Sequence, residues 1–179
     1  MTAPLPAPAQ AGAGTPDLDF TVHGTPAGQG QVSFLGRGRP AIHTNQKTLK
    51  PWRQAIIDAA LKATGRHQYI EWGALSECAV CRTPKREHAL LVGVPVAADI
   101  TITVPKPKSA PKTRRTWPIT RFSTDIDHHA RAVLDSLSAA GVFGDDSQVV
   151  ELTIRKVYPG EHPQALDGPG AHIRIWRTT

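Results

Sequence analysis

The chain has 179 residues, a formal net charge of +6 and a sequence pI near 9.7, which favour a polyanionic partner, with nucleic acid ahead of a membrane surface. No segment approaches the roughly 20 apolar residues that span a bilayer, no basic region followed by an apolar run marks a secretory signal, and two cysteines cannot build a disulfide framework. We therefore expect one cytoplasmic domain with no membrane partner.

The amino-terminal residues predict a disordered tail over 1–17, because Ala, Pro and Gly dominate there and almost nothing can be buried. Alternation of Leu18, Phe20 and Val22 with polar residues predicts the first strand of a domain over 18–179. The glycine-rich segment 24–30 lacks the Lys-Ser/Thr ending of a P-loop, so a flexible turn is favoured. Residues 31–35 are predicted to continue as a strand. The basic residues between 37 and 50 fit a solvated loop and a set of contacts to DNA phosphates equally well.

A helix is predicted from about residue 48 to 64, with Gly65 as its carboxyl-terminal stop. The next segment, 66–93, is a candidate insertion. It contains Cys78 and Cys81, spaced as half a zinc site that His67 or His88 could complete. The usual second ligand pair is absent, so two reduced thiols in an insertion remain the alternative.

A strand is predicted at 94–104, and a segment with five positive and no negative charges follows it. This basic segment, residues 105–118, fits either a mobile linker or a DNA-binding loop. Its position just before the acidic residues described next favours DNA binding. The residues predicted to contact DNA are Lys106, Lys108, Lys112, Arg114, Arg115 and Trp117, the last by stacking on an exposed base.

Five of the 15 acidic residues lie between positions 125 and 146. An apolar stripe formed by Ala130, Val133, Leu134 and Leu137 predicts a helix between them, with Gly141 at its end and a strand over about 150–154. Asp125 and Asp127 precede or open that helix, and Asp145 and Asp146 lie in the turn after it. Clustered carboxylates repel one another, and a divalent cation would offset that cost.

Each aspartate pair also has a structural interpretation. Asp125 or Asp127 would suit the N-cap, where a carboxylate accepts a hydrogen bond from the first turn of the helix. Adjacent aspartates are common in turns. The combination of both pairs in a basic protein favours a metal site. Arg131, one turn after Asp127, projects to nearly the same side and would contact a phosphate there.

This segment resembles the RusA-type Holliday junction resolvases. The family's segment reads roughly D-[IL]-D-N-x-x-K, then D-x-L, then D-D-x-Q-V; the matching residues here run from Asp125 to a strand ending in Lys156. Two positions depart from the pattern, since His128 replaces the Asn and Arg131 replaces the Lys. Arginine keeps the charge, but its planar fork differs in shape from an ammonium.

We expect an α+β fold, a small mixed sheet of four or five strands with two main helices packed on it, and the resemblance implies a homodimer. It implies that Asp125, Asp127 and Asp146, with Asp145 as a neighbour, bind Mg²⁺ or Mn²⁺ and are catalytic together with Arg131. Lys156 is predicted to contact the DNA backbone. The expected function is resolution of four-way DNA junctions by paired nicks. A non-catalytic protein that binds branched DNA, and a less selective metal-dependent nuclease, are the alternatives.

Overall fold

The computed structural model describes residues 14–30, 32–33, 42–43, 45–67, 69–72, 75–78, 82, 89–111, 114–120 and 123–178. Its elements, in chain order, are β1 (Leu18–His23), β2 (Val32–Ser33), β3 (Ile42–His43), α1 (Gln46–Thr64), β4 (Tyr69–Trp72), β5 (Leu75–Cys78), β6 (Val96–Thr103), α2 (Ile126–Ala139), a 3₁₀ helix (Asp146–Gln148), β7 (Val149–Val157) and β8 (Gly170–Arg177).

Four strands form a mixed sheet in the order β1-β8-β6-β7. β8 pairs antiparallel with both β1 and β6, whereas β6 and β7 are parallel. Two antiparallel ribbons, β2–β3 and β4–β5, complete the described strands. The expected α+β fold, with a mixed sheet of four strands and two main helices, is confirmed.

The parallel pairing of β6 and β7 requires a crossover, which α2 provides. Along β6, Ala98, Ile100 and Ile102 are fully buried on the face that carries the hydrophobic core. The core also contains Trp52 and Ile56 of α1, the helix predicted from about residue 48 to 64. A further set from α2, Val133 and Leu137, is completely buried, as the apolar stripe predicts.

The sheet's other face carries a charged network. Asp99 of β6 is 7% exposed and accepts hydrogen bonds from Arg155 of β7 and, at 3.0 Å, from Arg174 of β8. Arg155 also donates to Gln164 at 2.6 Å, in the connection between β7 and β8. Because two guanidinium groups share one carboxylate, the network links three strands and the 158–169 connection.

Two glycines end the helices as the sequence predicts. Gly65 follows α1 in the left-handed conformation with φ 63°, and Gly141 follows α2 with φ 71°. Residues 14–17 of the predicted tail contact β8: the Trp176 indole donates to the Gly14 carbonyl at 2.9 Å, and Arg177 pairs with Asp17. Residues 1–13 lie outside the described part of the chain. No helix among the described residues is long and apolar enough to cross a membrane.

Candidate active site

A group of three side chains at the start of α2 could hold a metal ion. Asp125, Asp127 and His128 each offer one ligand atom, and these atoms lie within 4.8 Å of one another. Both aspartates are exposed and the histidine is half-buried. We call these three residues the metal cluster. Two carboxylate oxygens and an imidazole nitrogen are suitable ligands for a divalent cation, so the residues present fit the ion that the sequence predicts.

Asp125 occupies the N-cap position of α2, with φ −73° and ψ 149°. Its side chain makes no capping hydrogen bond with the described residues, which differs from the predicted capping role. Asp127 lies in the first helical turn, near the positive end of the helix dipole. Both carboxylates are therefore available to an external ligand.

The residue before the cluster has an unusual backbone. Thr124 has φ 56°, a left-handed conformation that is costly for a β-branched residue. The Lys156 ammonium donates to the carbonyls of Ser123 and Thr124 and, at 3.0 Å, to the Ser123 hydroxyl. Burial of the ammonium lowers the Lys156 pKa, and the nearby Asp125 carboxylate opposes that shift. Lys156 thus holds the strained entry to the cluster, while its predicted contact with DNA stays a prediction.

A close approach of the 24–30 segment also supports the cluster. The backbone N–H of Gln29 donates to the His128 carbonyl at 2.9 Å, and the Asn45 side-chain amide donates to the Gly28 carbonyl at 2.6 Å. A Cβ added at Gly28 would lie 2.3 Å from Thr124 Cγ2 and 2.8 Å from His128 Cβ. Only glycine fits this contact without displacement of a neighbour.

His129, the neighbour of the cluster, has a structural environment. It is 1% exposed, and its Nε2 lies 3.2 Å from the Ser123 carbonyl. Burial lowers the pKa of His129, an effect that its hydrogen bond to Ser123 opposes. The imidazole therefore stabilises the same loop that Lys156 holds.

The second aspartate pair lies at the other end of α2. Lys156, near the end of β7, reaches the start of α2, whereas Asp146 precedes the first residue of β7. Seven strand residues span about 23 Å, so Asp146 is far from the cluster of its own chain. The Asp145 carboxylate accepts from the Ser147 amide at 3.0 Å and caps the 3₁₀ helix. The structure does not bring Asp146 to Asp125 and Asp127 within one chain, and its metal-binding role stays a prediction.

Arg131 is exposed on α2, one turn after Asp127, as predicted. This places a guanidinium on the helix that carries the cluster. The guanidinium could contact a phosphate bound next to the cluster. The catalytic role of Arg131 stays a prediction.

The Glu161 carboxylate attaches the basic segment to the connection between β7 and β8. Glu161 accepts a hydrogen bond from Lys106 at 2.6 Å and another from the Thr116 amide at 3.1 Å. The bond from Lys106 holds the pKa of Glu161 below its usual range. The Arg115 guanidinium stacks on the Trp117 ring at 4.2 Å, and Trp117 is 53% exposed. Glu161 therefore anchors a segment whose exposed surface is formed by the Trp117 ring and the Arg115 guanidinium.

Other predicted residues of this segment, Lys108 and Arg114, are exposed. Lys112 lies outside the described residues. The same holds for Cys81 and His88, and for the side chain of Cys78 in β5, so the zinc hypothesis stays a prediction. The candidate insertion at 66–93 includes the β4–β5 ribbon, and its status as an insertion also stays a prediction.

Comparison with known proteins matches residues 23–166 to the family model described as "Endodeoxyribonuclease RusA". The chain belongs to the RusA endodeoxyribonuclease family. It is also similar to the protein YqaN of Bacillus subtilis (strain 168), which is named as uncharacterized. The two are 28% identical over 151 residues, a match that covers 80% of this chain and 89% of the relative. The RusA match includes the metal cluster and the basic segment.

Sequence reasoning identified His128 only as a departure from the RusA-type pattern and missed it as a candidate ligand. The available signal was an imidazole immediately after a D-x-D pair at a helix start. The remoteness of Asp146 could also be anticipated, because a helix of 14 residues is about 21 Å long. The returning strand then brings Lys156, and not Asp146, to the cluster.

Proposed function

We propose that this chain is a metal-dependent endodeoxyribonuclease that resolves four-way DNA junctions by paired, symmetric phosphodiester hydrolysis. The observation that carries the proposal is the solvent-accessible metal cluster within the segment matched to the RusA family. Recombination, repair or phage replication would supply such junctions. Since the substrate is intracellular DNA, we place the activity in the cytoplasm.

A divalent cation, when bound, would activate water and neutralise charge on the leaving oxygen. Asp125 and Asp127 would hold it through carboxylate oxygens. Lys156 and the Gly28 contact would keep these side chains oriented before DNA arrives, which lowers the reorganisation that binding requires. Arg131 would hold the phosphate beside the cluster. The exposure of Asp125, Asp127 and Arg131 supports the roles in metal and phosphate binding, and the hydrogen bonds of Lys156 support its positioning role.

The basic segment would hold a DNA strand near the cluster. Lys108, Arg114 and Arg115 would contact phosphates, which contribute affinity but no sequence information. Trp117, exposed beside the Arg115 guanidinium, would stack on an unpaired base at the branch point. A junction exposes such bases more readily than a linear duplex does, so this surface favours a branched substrate.

Two symmetric nicks require two cluster sites, so we propose a homodimer whose twofold axis matches that of the junction. Asp146 lies at the opposite end of α2 and is exposed. As a ligand it would have to complete the cluster of a second copy. Mixing the inactive variants Asp127→Asn and Asp146→Asn tests this arrangement, since mixed dimers would regain one complete site. Absence of complementation would refute the shared site.

Cleavage of a synthetic four-way junction with Mg²⁺ or Mn²⁺ tests the proposed function. Wild type should make paired symmetric nicks and leave linear duplex of the same sequence intact. Asp127→Asn should bind the junction and leave it uncut. Asp167→Asn, the same charge change in the exposed connection between β7 and β8, is the matched control and should cut normally. Binding without nicks by wild type would favour a non-catalytic junction-binding protein, and cutting of linear DNA would favour a less selective nuclease.

A further inference from the structure

We propose that His128 ligates the metal through its imidazole and makes the site select a divalent transition-metal ion, represented by Mn²⁺, over Mg²⁺. The inference rests on the proposed metal-dependent function and specifies the ion that the site takes. The RusA-type pattern has Asn at this position, so the property would belong to this chain and to relatives that share the histidine.

The distance between ligand atoms fits a shared ion. His128 Nε2 lies 3.8 Å from Asp127 Oδ2. This separation is too long for a hydrogen bond, so the two groups do not satisfy each other directly. Two ligands of one ion, each at about 2.0–2.2 Å, are separated by about 2.8 to 4.4 Å as the angle at the ion widens from a right angle to a straight line. The Asp127–His128 separation lies inside this interval.

The backbone and Cβ that carry the imidazole are held in place by the 24–30 segment. The His128 carbonyl accepts from the Gln29 amide, and its Cβ lies against Gly28, where a side chain would not fit. The side chain is 31% exposed, compared with 70% for Asp127. A half-buried imidazole that is anchored at its backbone loses less conformational entropy on ligation than a fully exposed one.

The chemistry of the ligand set decides the selectivity. Mg²⁺ prefers oxygen ligands and retains its waters, so an imidazole adds little to its binding. First-row transition ions accept both carboxylate oxygen and imidazole nitrogen. An asparagine at the same position offers an amide oxygen, which suits Mg²⁺ and removes the nitrogen ligand. The wild-type protein should therefore bind Mn²⁺ more tightly than Mg²⁺, and the difference between the two affinities should be smaller in His128→Asn.

Metal binding to the apo protein, without DNA, tests the proposal. In the Mn²⁺ complex, pulsed electron paramagnetic resonance should show modulation from a directly bound imidazole ¹⁴N. His128→Asn should lose this signal. By titration calorimetry it should also bind Mn²⁺ about tenfold or more weakly, while Mg²⁺ affinity changes by less than about threefold. His128→Gln is the second variant, and circular dichroism verifies that each variant is folded.

His172→Asn is the matched control. The His172 imidazole also lies beside a carboxylate, that of Asp19 at 2.6 Å, but on the sheet face away from the core. This variant should keep the ¹⁴N signal and the Mn²⁺ affinity. Absence of the ¹⁴N signal in wild type, failure of wild type to bind Mn²⁺, or an unchanged Mn²⁺ to Mg²⁺ ratio in folded His128 variants would overturn the proposal.

The outcome is separable from that of the proposed function. A protein that shows the histidine signature and leaves junction DNA intact would refute the nuclease activity and keep His128 as a ligand. A protein that cuts junctions equally well with both ions, before and after His128→Asn, would keep the activity and refute the selectivity.

Discussion

Substitution of Gly28 by Ala should disturb the metal cluster from outside it. The added Cβ would lie 2.3 Å from Thr124 Cγ2, 2.8 Å from His128 Cβ and 3.2 Å from the His128 carbonyl carbon. Ordinary carbon contacts lie at about 3.5–4.0 Å. Two of the overlaps are therefore about 0.7 Å or more, and they act on residues on both sides of Asp125.

The cost follows from how little the contact can relax. Retreat of the Gly28 segment would break the hydrogen bond between the Gln29 amide and the His128 carbonyl. Overpacking costs about 1–3 kcal/mol, and a lost hydrogen bond adds about 1 kcal/mol. We expect Gly28→Ala to lower the free energy of unfolding by about 2–4 kcal/mol and to weaken Mn²⁺ binding, because His128 and Thr124 must move.

Urea denaturation measures the stability change, and calorimetric titration of Mn²⁺ measures the effect on the cluster. Gly168→Ala is the control, since no described atom lies within 4 Å of a Cβ at that position. It should change the free energy of unfolding by less than about 1 kcal/mol. Wild-type stability and metal affinity in Gly28→Ala, or an equal loss of stability in both alanine variants, would contradict a tight contact at Gly28.

Three further variants test the supports of the site. Lys156→Met should weaken Mn²⁺ binding by about tenfold, because the ammonium no longer holds the Thr124 backbone. Adding Thr124→Gly should restore much of the Mn²⁺ affinity, since glycine adopts positive φ without strain. If calorimetry shows no recovery of affinity in the double variant, the ammonium does not act by holding Thr124. Asp99→Asn should lower the free energy of unfolding by about 3 kcal/mol, since two guanidinium groups lose their carboxylate, and a urea midpoint equal to that of wild type would show that the network contributes nothing. The pKa of Glu161 is lowered because Lys106 donates a hydrogen bond to it. The ionised carboxylate should therefore anchor the basic segment fully above about pH 4.3, the pKa of an unperturbed glutamate, and the anchoring should be lost as the pH falls through the lower pKa of the folded state. Amide hydrogen exchange in the segment, relative to intrinsic rates, measures this pH dependence, and Glu161→Gln should remove most of it.

Much of the fold follows from local patterns in the sequence. Alternation along β1 and the helical spacing in α2 predict elements that the structure contains, and Gly65 and Gly141 mark the helix ends. Edge position modifies the pattern in β7, where Val150 and Leu152 are exposed at 59% and 41% although the alternation predicts a half-buried strand. A strand at the edge has less of the sheet and helices to cover it.

The site was predictable in composition and only partly in arrangement. Asp125 and Asp127 are two residues apart and lie at the same helix end, so their spacing in the sequence is enough to predict that they are close. The hold of Lys156 on Thr124 depends on parallel pairing of β6 and β7, which no local pattern encodes. His128 required attention to a position where the chain differs from the RusA-type pattern, because a ligand can change while the fold stays the same.

The place of β8 in the middle of the sheet has a consequence for synthesis of the protein. The metal cluster ends at residue 128, yet β8, which begins at Gly170, must enter between β1 and β6 before the sheet is continuous. Pairing of Leu18 with Ile175 joins distant parts of the chain, a contact that forms late because its loop-closure entropy is high. Until β8 leaves the ribosome, the strand that carries Lys156 belongs to an unfinished sheet. A nascent chain would therefore contain the three residues of the metal cluster before the sheet that positions them is complete. DNA cutting would then be delayed until β8 has been translated and has paired with β1 and β6.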